Sequence, residues 1–331
     1  MRISAGSEKI VIRTPAKLNL FLEVTGRRPD GYHNLDTVMV PISLLDELTA
    51  EPADELTLDV KTPQSLATET KSLPDCGLID AAWNIPVTAD NLVIKAFEQV
   101  RRILGIRSGA KVTLSKQIPA QAGLGGGSSD AAAAVCAALL MWSCWDRVLA
   151  SRVCAALGSD TNFFLGTSAG TGIAHATGRG EIIELLEHRP VLEFLVLNPP
   201  AGCSTRQVFE TLTKSEKTRN SEKIIAACES GQAEKIGAEL FNALQSPAAS
   251  ITSWVNTQLD LLIDHGHKCA IMTGSGSSCF AILEEQKKVN QTIEAARALG
   301  ISRAYKVGTW YAPSIESQLL PPDNAVNEFT L

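Results

Sequence analysis

Apolar and polar positions alternate through most of the first sixty residues. Ile10 and Ile12 share one side of a run from Lys9 to Arg13. The alternation resumes beyond Pro15 in Lys17-Leu18-Asn19-Leu20-Phe21-Leu22-Glu23-Val24, so two successive strands are expected there. Leu35 to Leu44 and Glu47 to Val60 carry more strand pattern, and Gly26 to Gly31 has turn composition. At Asn91 the period lengthens. Leu92, Ile94, Phe97, Val100, Ile103 and Leu104 then fall near one face of a helix running to Leu104. A strand at Lys111 to Leu114 leads through a glycine-rich stretch into a helix from Ser129 to Trp142. A further helix, Arg147 to Leu157, is stopped by Gly158. Small, apolar and glycine residues alternate from Phe163 to Thr177 and suggest a hairpin.

A second unit begins near Arg189-Pro190 with a strand at Val191 to Leu197. Helices are expected at Ser204 to Leu212, Ser221 to Cys228, Ala233 to Leu244, Ile251 to His265 and Val289 to Leu299. Short strands at Ala270 to Met272 and Cys279 to Leu283 flank a glycine–serine loop. Thr62 to Pro86 has no period and reads as a long loop or insertion; the polar tail from Pro313 reads as frayed. Strands and helices mix without a regular βαβ alternation, which favours α+β over a doubly wound sheet. The expected domains are 1–190 and 191–331.

Bulk properties narrow the function classes. A length of 331 residues suits two domains, and 45% hydrophobic with 20% charged residues suits a soluble globular protein. The net charge of −6 argues against nucleic acid or an anionic membrane as the main partner, so an anionic ligand would be held by local donors. The eight cysteines are scattered and form no C-x-x-C pair, and the N-terminal residues carry no apolar signal core. Reduced thiols in the cytoplasm are therefore expected. The longest apolar run, Ala131 to Trp142, is too short to span a bilayer.

The most specific chemistry lies in Lys116-Gln117-Ile118-Pro119-Ala120-Gln121-Ala122-Gly123-Leu124-Gly125-Gly126-Gly127-Ser128-Ser129-Asp130. Glycine leaves no Cβ between backbone and ligand, and a helix start presents unpaired N–H groups and a positive dipole end. Together these make a phosphate cradle. A Walker A loop would end in Gly-Lys-Ser/Thr, and a dinucleotide fingerprint would place glycine where Ser128 stands. Three other segments have two readings each. Alternation puts Lys17 and Asn19 on one strand face, either an ordinary exposed face or an inward polar site. Asp160, in Leu157-Gly158-Ser159-Asp160, is a helix cap or a partly buried base. Thr273-Gly274-Ser275-Gly276-Ser277-Ser278 turns a hairpin or closes over phosphates. Tyr32-His33 offers an aromatic face and a hydrogen-bonding edge.

Taken together, P-A-K-L-N-L, D-G-Y-H, A-D-N-L, G-L-G-G-G-S-S, L-G-S-D and T-G-S-G-S-S resemble, in order, the galactokinase, homoserine kinase, mevalonate kinase and phosphomevalonate kinase (GHMP) superfamily. The first two segments resemble its branch acting on a cytidine-diphospho sugar alcohol. The resemblance runs from about Thr14 to Leu283. It implies a two-domain fold, a ribosomal-protein-S5-like N-terminal domain followed by a ferredoxin-like C-terminal domain. It implies transfer of the ATP γ-phosphoryl to the 2-hydroxyl of cytidine diphospho-methylerythritol, in non-mevalonate isoprenoid precursor synthesis, by a monomer or homodimer. Lys17 and Asp160 match the catalytic positions. Asn19, Tyr32, His33, Thr205 and Phe209 match the substrate site. Asn91 would lie near the nucleoside, and Pro119, Ala120, Gln121, Ala122, Gly123, Leu124, Gly125, Gly126, Gly127, Ser128 and Ser129 would hold the phosphates. The Ser129 hydroxyl would be a ligand for Mg²⁺. Thr161-Asn162 departs from the Val-Pro that commonly follows the aspartate.

Two other enzymes compete. Another GHMP kinase, for homoserine, mevalonate or a sugar, would share the glycine loop but have no use for a cytosine site. Gly166-Thr167-Ser168-Ala169-Gly170 matches the G-x-S-x-G of serine hydrolases, which need strand, sharp turn and helix around it. The residues that follow read as extended.

Overall fold

A computed structural model of the chain describes residues 1–6, 8–63, 82–212, 219–284 and 288–320. Most of the expected 62–86 insertion, with Cys76, lies outside the described residues, as does the tail beyond 320. Among the described residues the chain forms two sheets. The larger contains β1 (Arg2–Ala5), β2 (Ile10–Arg27), β3 (His33–Ala53), β4 (Leu56–Lys61), β5 (Gly109–Ser115), β6 (Ala174–Gly178), β7 (Ile182–Leu185) and the two-residue β9 (Phe241–Asn242). Its main path runs β1-β2-β3-β5-β4, β6 joins β3 and β7, and β9 lies parallel on β2.

The expected strands Lys9–Arg13 and Lys17–Val24 are one long strand, β2; the run expected from Glu47 to Val60 is divided, its first part continuing Leu35–Leu44 in β3 and its last part forming β4. Pro15 does not end β2. It sits at a register shift, where Pro15 faces Leu45 and Ala16 faces Ile42, and a bulge tolerates a residue with no N–H to donate. The same irregularity keeps Leu45-Asp46 inside β3 rather than in a gap.

One face of this sheet packs α1 (Leu92–Leu104), α2 (Gly126–Met141), α3 (Arg147–Leu157) and α4 (Thr161–Leu165). Asn91 caps α1, its Oδ1 accepting from Val93 N at 2.8 Å. Helix α2 is alanine-rich all round and buried from Ala131 to Leu139, the pattern of an interior helix. The expected hairpin at Phe163–Thr177 is half wrong. Phe163, Phe164 and Leu165 close α4, because they bury against α2 and α3, and the hairpin proper is β6–β7.

The other face, through Leu18, Leu20, Val38 and Val40, packs the second sheet at Phe194, Val196 and Phe280. That sheet comprises β8 (Glu193–Asn198), β10 (Ala270–Met272), β11 (Cys279–Ile282) and β12 (Arg303–Gly308), in the order β10-β11-β8-β12, all antiparallel. Numbered within the sheet this is 2-3-1-4, the ferredoxin-like order. Between β8 and β10 come α5 (Thr205–Thr211), α6 (Glu222–Ser230), α7 (Ala233–Ala238), α8 (Gln245–Ile251) and α9 (Trp254–Asp264); α10 (Val289–Ala298) leads to β12. The expected single helix from Ala233 to Leu244 stops at Ala238, since Phe241–Asn242 leaves to pair with β2.

The expected 190/191 boundary falls in the gap between β7 and β8, but the chain crosses it repeatedly. Besides β9, Ile42 bridges Thr309, and α11 (Ile315–Leu319) returns to pack near β1 with Ile315 buried. The tail is therefore ordered as far as Leu319, held by Gln318 Oε1 accepting from Ile3 N at 2.8 Å. No helix among the described residues is long and apolar enough to cross a membrane.

Candidate active site

A cleft of about 1800 Å³ lies where the two sheets meet. Its floor is set by β2. Alternation puts Lys17 and Asn19 on the same side, and both are buried yet line the cleft. Asn19 Nδ2 donates to Thr37 Oγ1 (2.9 Å), and its backbone N–H donates to Thr273 Oγ1 (3.0 Å). With Nδ2 so committed, Asn19 Oδ1 faces and accepts from Lys17 Nζ. Lys17 Nζ also stands 3.7 Å from Asp160 Oδ2. Burial lowers the Lys17 pKa, opposed by the Asp160 charge. Asp160 occupies the N-cap position of α4 but makes no side-chain cap bond. Its carboxylate, still partly exposed, points instead at the lysine. The cap reading of Asp160 is thus set aside by geometry.

The glycine loop forms one wall. Gly123 and Gly125 adopt φ of +75° and +73°. Each is also sterically required: a Cβ on Gly125 would lie 2.8 Å from the Phe164 ring and 3.0 Å from Lys17 Cγ, and one on Gly123 only 2.2 Å from Thr273 O. Helix α2 starts at Gly126 with no side-chain cap, so its first N–H groups are left for a ligand. Pro119 to Gly123 and Gly125 to Ser128 line the cleft.

Three expected ligand positions do not. Leu124 is buried, and its carbonyl accepts from Lys17 N at 3.0 Å. Asn91 is spent on capping α1 and on Pro86 O, to which Nδ2 donates at 2.6 Å; its neighbour Leu92 lines the cleft instead. Ser129 is fully buried, its hydroxyl donating to Pro15 O and meeting Thr14 Oγ1, both at 2.6 Å. That hydroxyl fastens α2 to the β2 bulge and is turned from the cleft, so the geometry does not fit a metal ligand there. Ser128 is the serine that faces the cleft.

The opposite end is aromatic. His33 and Phe209 stack face to face, centroids 4.9 Å apart and planes 20° from parallel. Burial and Arg27 lower the His33 pKa. Tyr32 is half exposed at the rim, with the Arg179 guanidinium 5.0 Å over its ring. Thr205, the first residue of α5, meets Ser275 of the second glycine loop, hydroxyl to hydroxyl, at 2.8 Å. The cleft thus brings together both expected catalytic residues and all five expected substrate residues.

Several positions escaped sequence reading. Asn242 Nδ2 donates to Met272 O and Gly274 O, both at 2.8 Å, and holds the second glycine loop against Lys17. Lys116 lies buried under the loop between Asp46 and Asp130, donating to Asp130 Oδ2 at 2.6 Å. One ammonium neutralises only one carboxylate, and burial pushes Asp130 up to about 8 in spite of Lys116. The charge pattern of an isolated Lys and two distant Asp gave no signal for this. At Gly166–Gly170 the chain runs from helix through a tight turn, Thr167 and Gly170 bonding reciprocally, to strand β6. That is the reverse of a hydrolase elbow.

Comparison with known proteins agrees with this geometry. Residues 91–173 match the GHMP kinases N terminal domain and residues 224–302 the GHMP kinases C terminal domain. The 4-diphosphocytidyl-2-C-methyl-D-erythritol kinase of Rhodopirellula baltica is 36% identical over 86% of this chain and 90% of its own. That of Pelotomaculum thermopropionicum is 35% identical over 83% and 90%. A solved 4-(cytidine 5'-diphospho)-2C-methyl-D-erythritol kinase superposes with a TM-score of 0.68 at 28% identity, covering 90% of this chain and 98% of that one. Homoserine kinase from Cytophaga hutchinsonii reaches a TM-score of 0.65 at only 15% identity, over 95% and 98%, a likeness of fold alone. The chain belongs to the 4-diphosphocytidyl-2-C-methyl-D-erythritol kinase family of the GHMP kinases.

Proposed function

We propose that this ATP-dependent small-molecule kinase phosphorylates the 2-hydroxyl of 4-diphosphocytidyl-2-C-methyl-D-erythritol. The observation that carries the reading is the Lys17–Asp160 pair, 3.7 Å apart, in a cleft with a glycine-rich helix start at one end and an aromatic group at the other. Phosphoryl transfer asks a protein for in-line positioning and charge neutralisation rather than covalent chemistry. The free N–H groups at the start of α2 would hold the ATP phosphates. Asp160 would take the proton of the attacking hydroxyl as the bond to phosphorus forms. Lys17, 3.7 Å from its carboxylate, would orient Asp160 and offset charge on the transferring group. Tyr32, His33 and Phe209 would receive the cytosine, supplying stacking faces and a ring edge.

Mg²⁺ fits this site. The ion favours oxygen donors, one or two from protein with the rest from phosphates and water, and Ser128, beside the phosphate cradle, lines the cleft. When bound it would neutralise charge on the β- and γ-phosphates. The seven described cysteines are free thiols, which supports a reducing compartment such as the cytoplasm.

Phosphorus NMR of the product tests the reading. A new monoester signal beside an intact diphosphate is expected when the purified chain meets ATP and the cytidine acceptor. Loss of the diphosphate signals, or no acceptor-dependent change, would overturn it.

A further inference from the structure

The β6–β7 turn touches both ends of the acceptor site, through adjacent residues. Gly180, at φ +114°, neighbours the proposed catalytic carboxylate: a Cβ there would lie in van der Waals contact with Asp160 Oδ1, at 3.4 Å. Arg179, one residue earlier, lies over the Tyr32 ring. The turn itself is tightly held. Arg179 Nη2 donates to Ala155 O of α3 (3.2 Å), Glu181 Oε2 accepts from Arg179 N (2.5 Å), and Asn162 Nδ2 donates to Glu181 O (3.3 Å). Tyr32 is not. Its backbone is fixed by Arg28 N and Asp30 Oδ1, but its ring is half exposed in a loop ahead of β3, with Arg179 over one face.

We propose that Arg179 is a positioning residue for the acceptor: its guanidinium packs on one face of Tyr32 and fixes the other face for the cytosine ring. Arginine suits this role because its planar, permanently charged group stacks on an aromatic ring while its edge bonds elsewhere. Here the edge is tied to α3 and Glu181, whose carboxylate lies 3.5 Å from Arg179 Nε. The base platform is thereby referenced to the same turn that neighbours Asp160, so a base seated on Tyr32 is registered against the proposed catalytic carboxylate. The proposal rests on the acceptor reading given above.

A double-mutant cycle tests it. Arg179→Gln should raise KM for the cytidine acceptor by roughly 3–10-fold, the effect of one cation–π contact at a partly exposed site, and leave KM for ATP unchanged. Cytidine and cytidine 5'-diphosphate, used as competitive inhibitors, should weaken equally. In a Tyr32→Ala background the same change should do nothing further. Additive losses in the double variant, equal rises in both KM values, or weakening of the diphosphate alone would overturn the proposal. Should Arg179→Gln fold poorly, Arg179→Lys enters the same cycle with the same expectations at smaller size. An unchanged acceptor KM in Tyr32→Ala alone would instead overturn the cytosine site, so the two failures are distinguishable.

Discussion

At the scale of single residues, the proposed mechanism rests on Asp160 as the proton acceptor, 3.7 Å from Lys17 Nζ. Asp160→Asn keeps shape and removes the proton acceptor, so kcat should fall by on the order of 10²–10⁴-fold with ATP binding little changed. Wild-type turnover in a folded variant would remove Asp160 from the mechanism. Lys17 makes a second prediction. Burial lowers its pKa from the ordinary 10.5, so the ammonium is lost at a lower pH than in free lysine. The alkaline limb of kcat/KM should therefore lie below that value. Lys17→Arg, always charged, should abolish that limb even while lowering kcat. The stability sign is separate. Between the folded and unfolded values the unfolded chain binds the extra proton, so the Lys17 contribution to stability improves as pH rises through that window. An alkaline limb at the free-lysine value, or one unmoved in the arginine variant, would show that Lys17 does not titrate in catalysis.

The glycine loop is the element proposed to bind the nucleotide, and its glycines are not equivalent. A Cβ on Gly123 would meet Thr273 O at 2.2 Å, whereas one on Gly127 meets nothing nearer than Leu92 Cδ1 at 3.8 Å. Gly127 has helical backbone and lines the cleft. Gly127→Val should therefore fold normally and raise KM for ATP, because the added methyls occupy the phosphate approach. Gly123→Ala should lower the melting temperature as well, by parting the two glycine loops. Calorimetric ATP titration and thermal melts separate the cases; unchanged ATP affinity in Gly127→Val would mean that the loop is only a turn.

What could be read from the chain follows the same division. The glycine loop was legible as a local pattern of residue types; Lys17, Asp160 and Tyr32-His33 each kept an ordinary second reading, and only the order of all the motifs together, in the likeness to one family, singled them out as candidates. The continuity of β2 through Pro15 was not legible, since a bulge depends on the partner strand. Nor was the burial of the Ser129 hydroxyl: two adjacent serines look alike until the helix phase turns one to the cleft and one to Pro15 O. Asn242 was hidden because its two-residue strand borrows its partner from the far end of the chain.

The whole molecule is stitched across the cleft rather than hinged on one linker. Asn242→Ala would strip donors from Met272 O and Gly274 O. Two buried carbonyls left unpaired should cost roughly 1–3 kcal/mol each in denaturant unfolding, and kcat should fall because Gly274 abuts Lys17. A variant of native stability would show that the stitch is dispensable. The buried Lys116 cluster makes a pH prediction of opposite sign to Lys17. Asp130 is pushed up to about 8, so from pH ~4 to 8 the folded chain holds a proton that the unfolded chain has released. Its contribution is full below the unfolded value and is lost as pH rises through about 8. Asp130→Asn needs no such proton. Its stability relative to wild type should improve between pH 5 and pH 8 by on the order of 1 kcal/mol per pH unit; a flat difference in urea unfolding would refute the shared-proton cluster.

The central claim is that one cleft joins a phosphate cradle, a Lys17–Asp160 pair and a cytosine site into a kinase for a single acceptor. Acceptor-dependent ADP release by the purified wild-type chain tests it most directly, with the cytidine-diphospho methylerythritol, mevalonate and homoserine compared at equal concentration. Rapid turnover of the cytidine acceptor and none of the other two is the predicted result. Turnover of mevalonate or homoserine, with the cytidine compound inert, would contradict it.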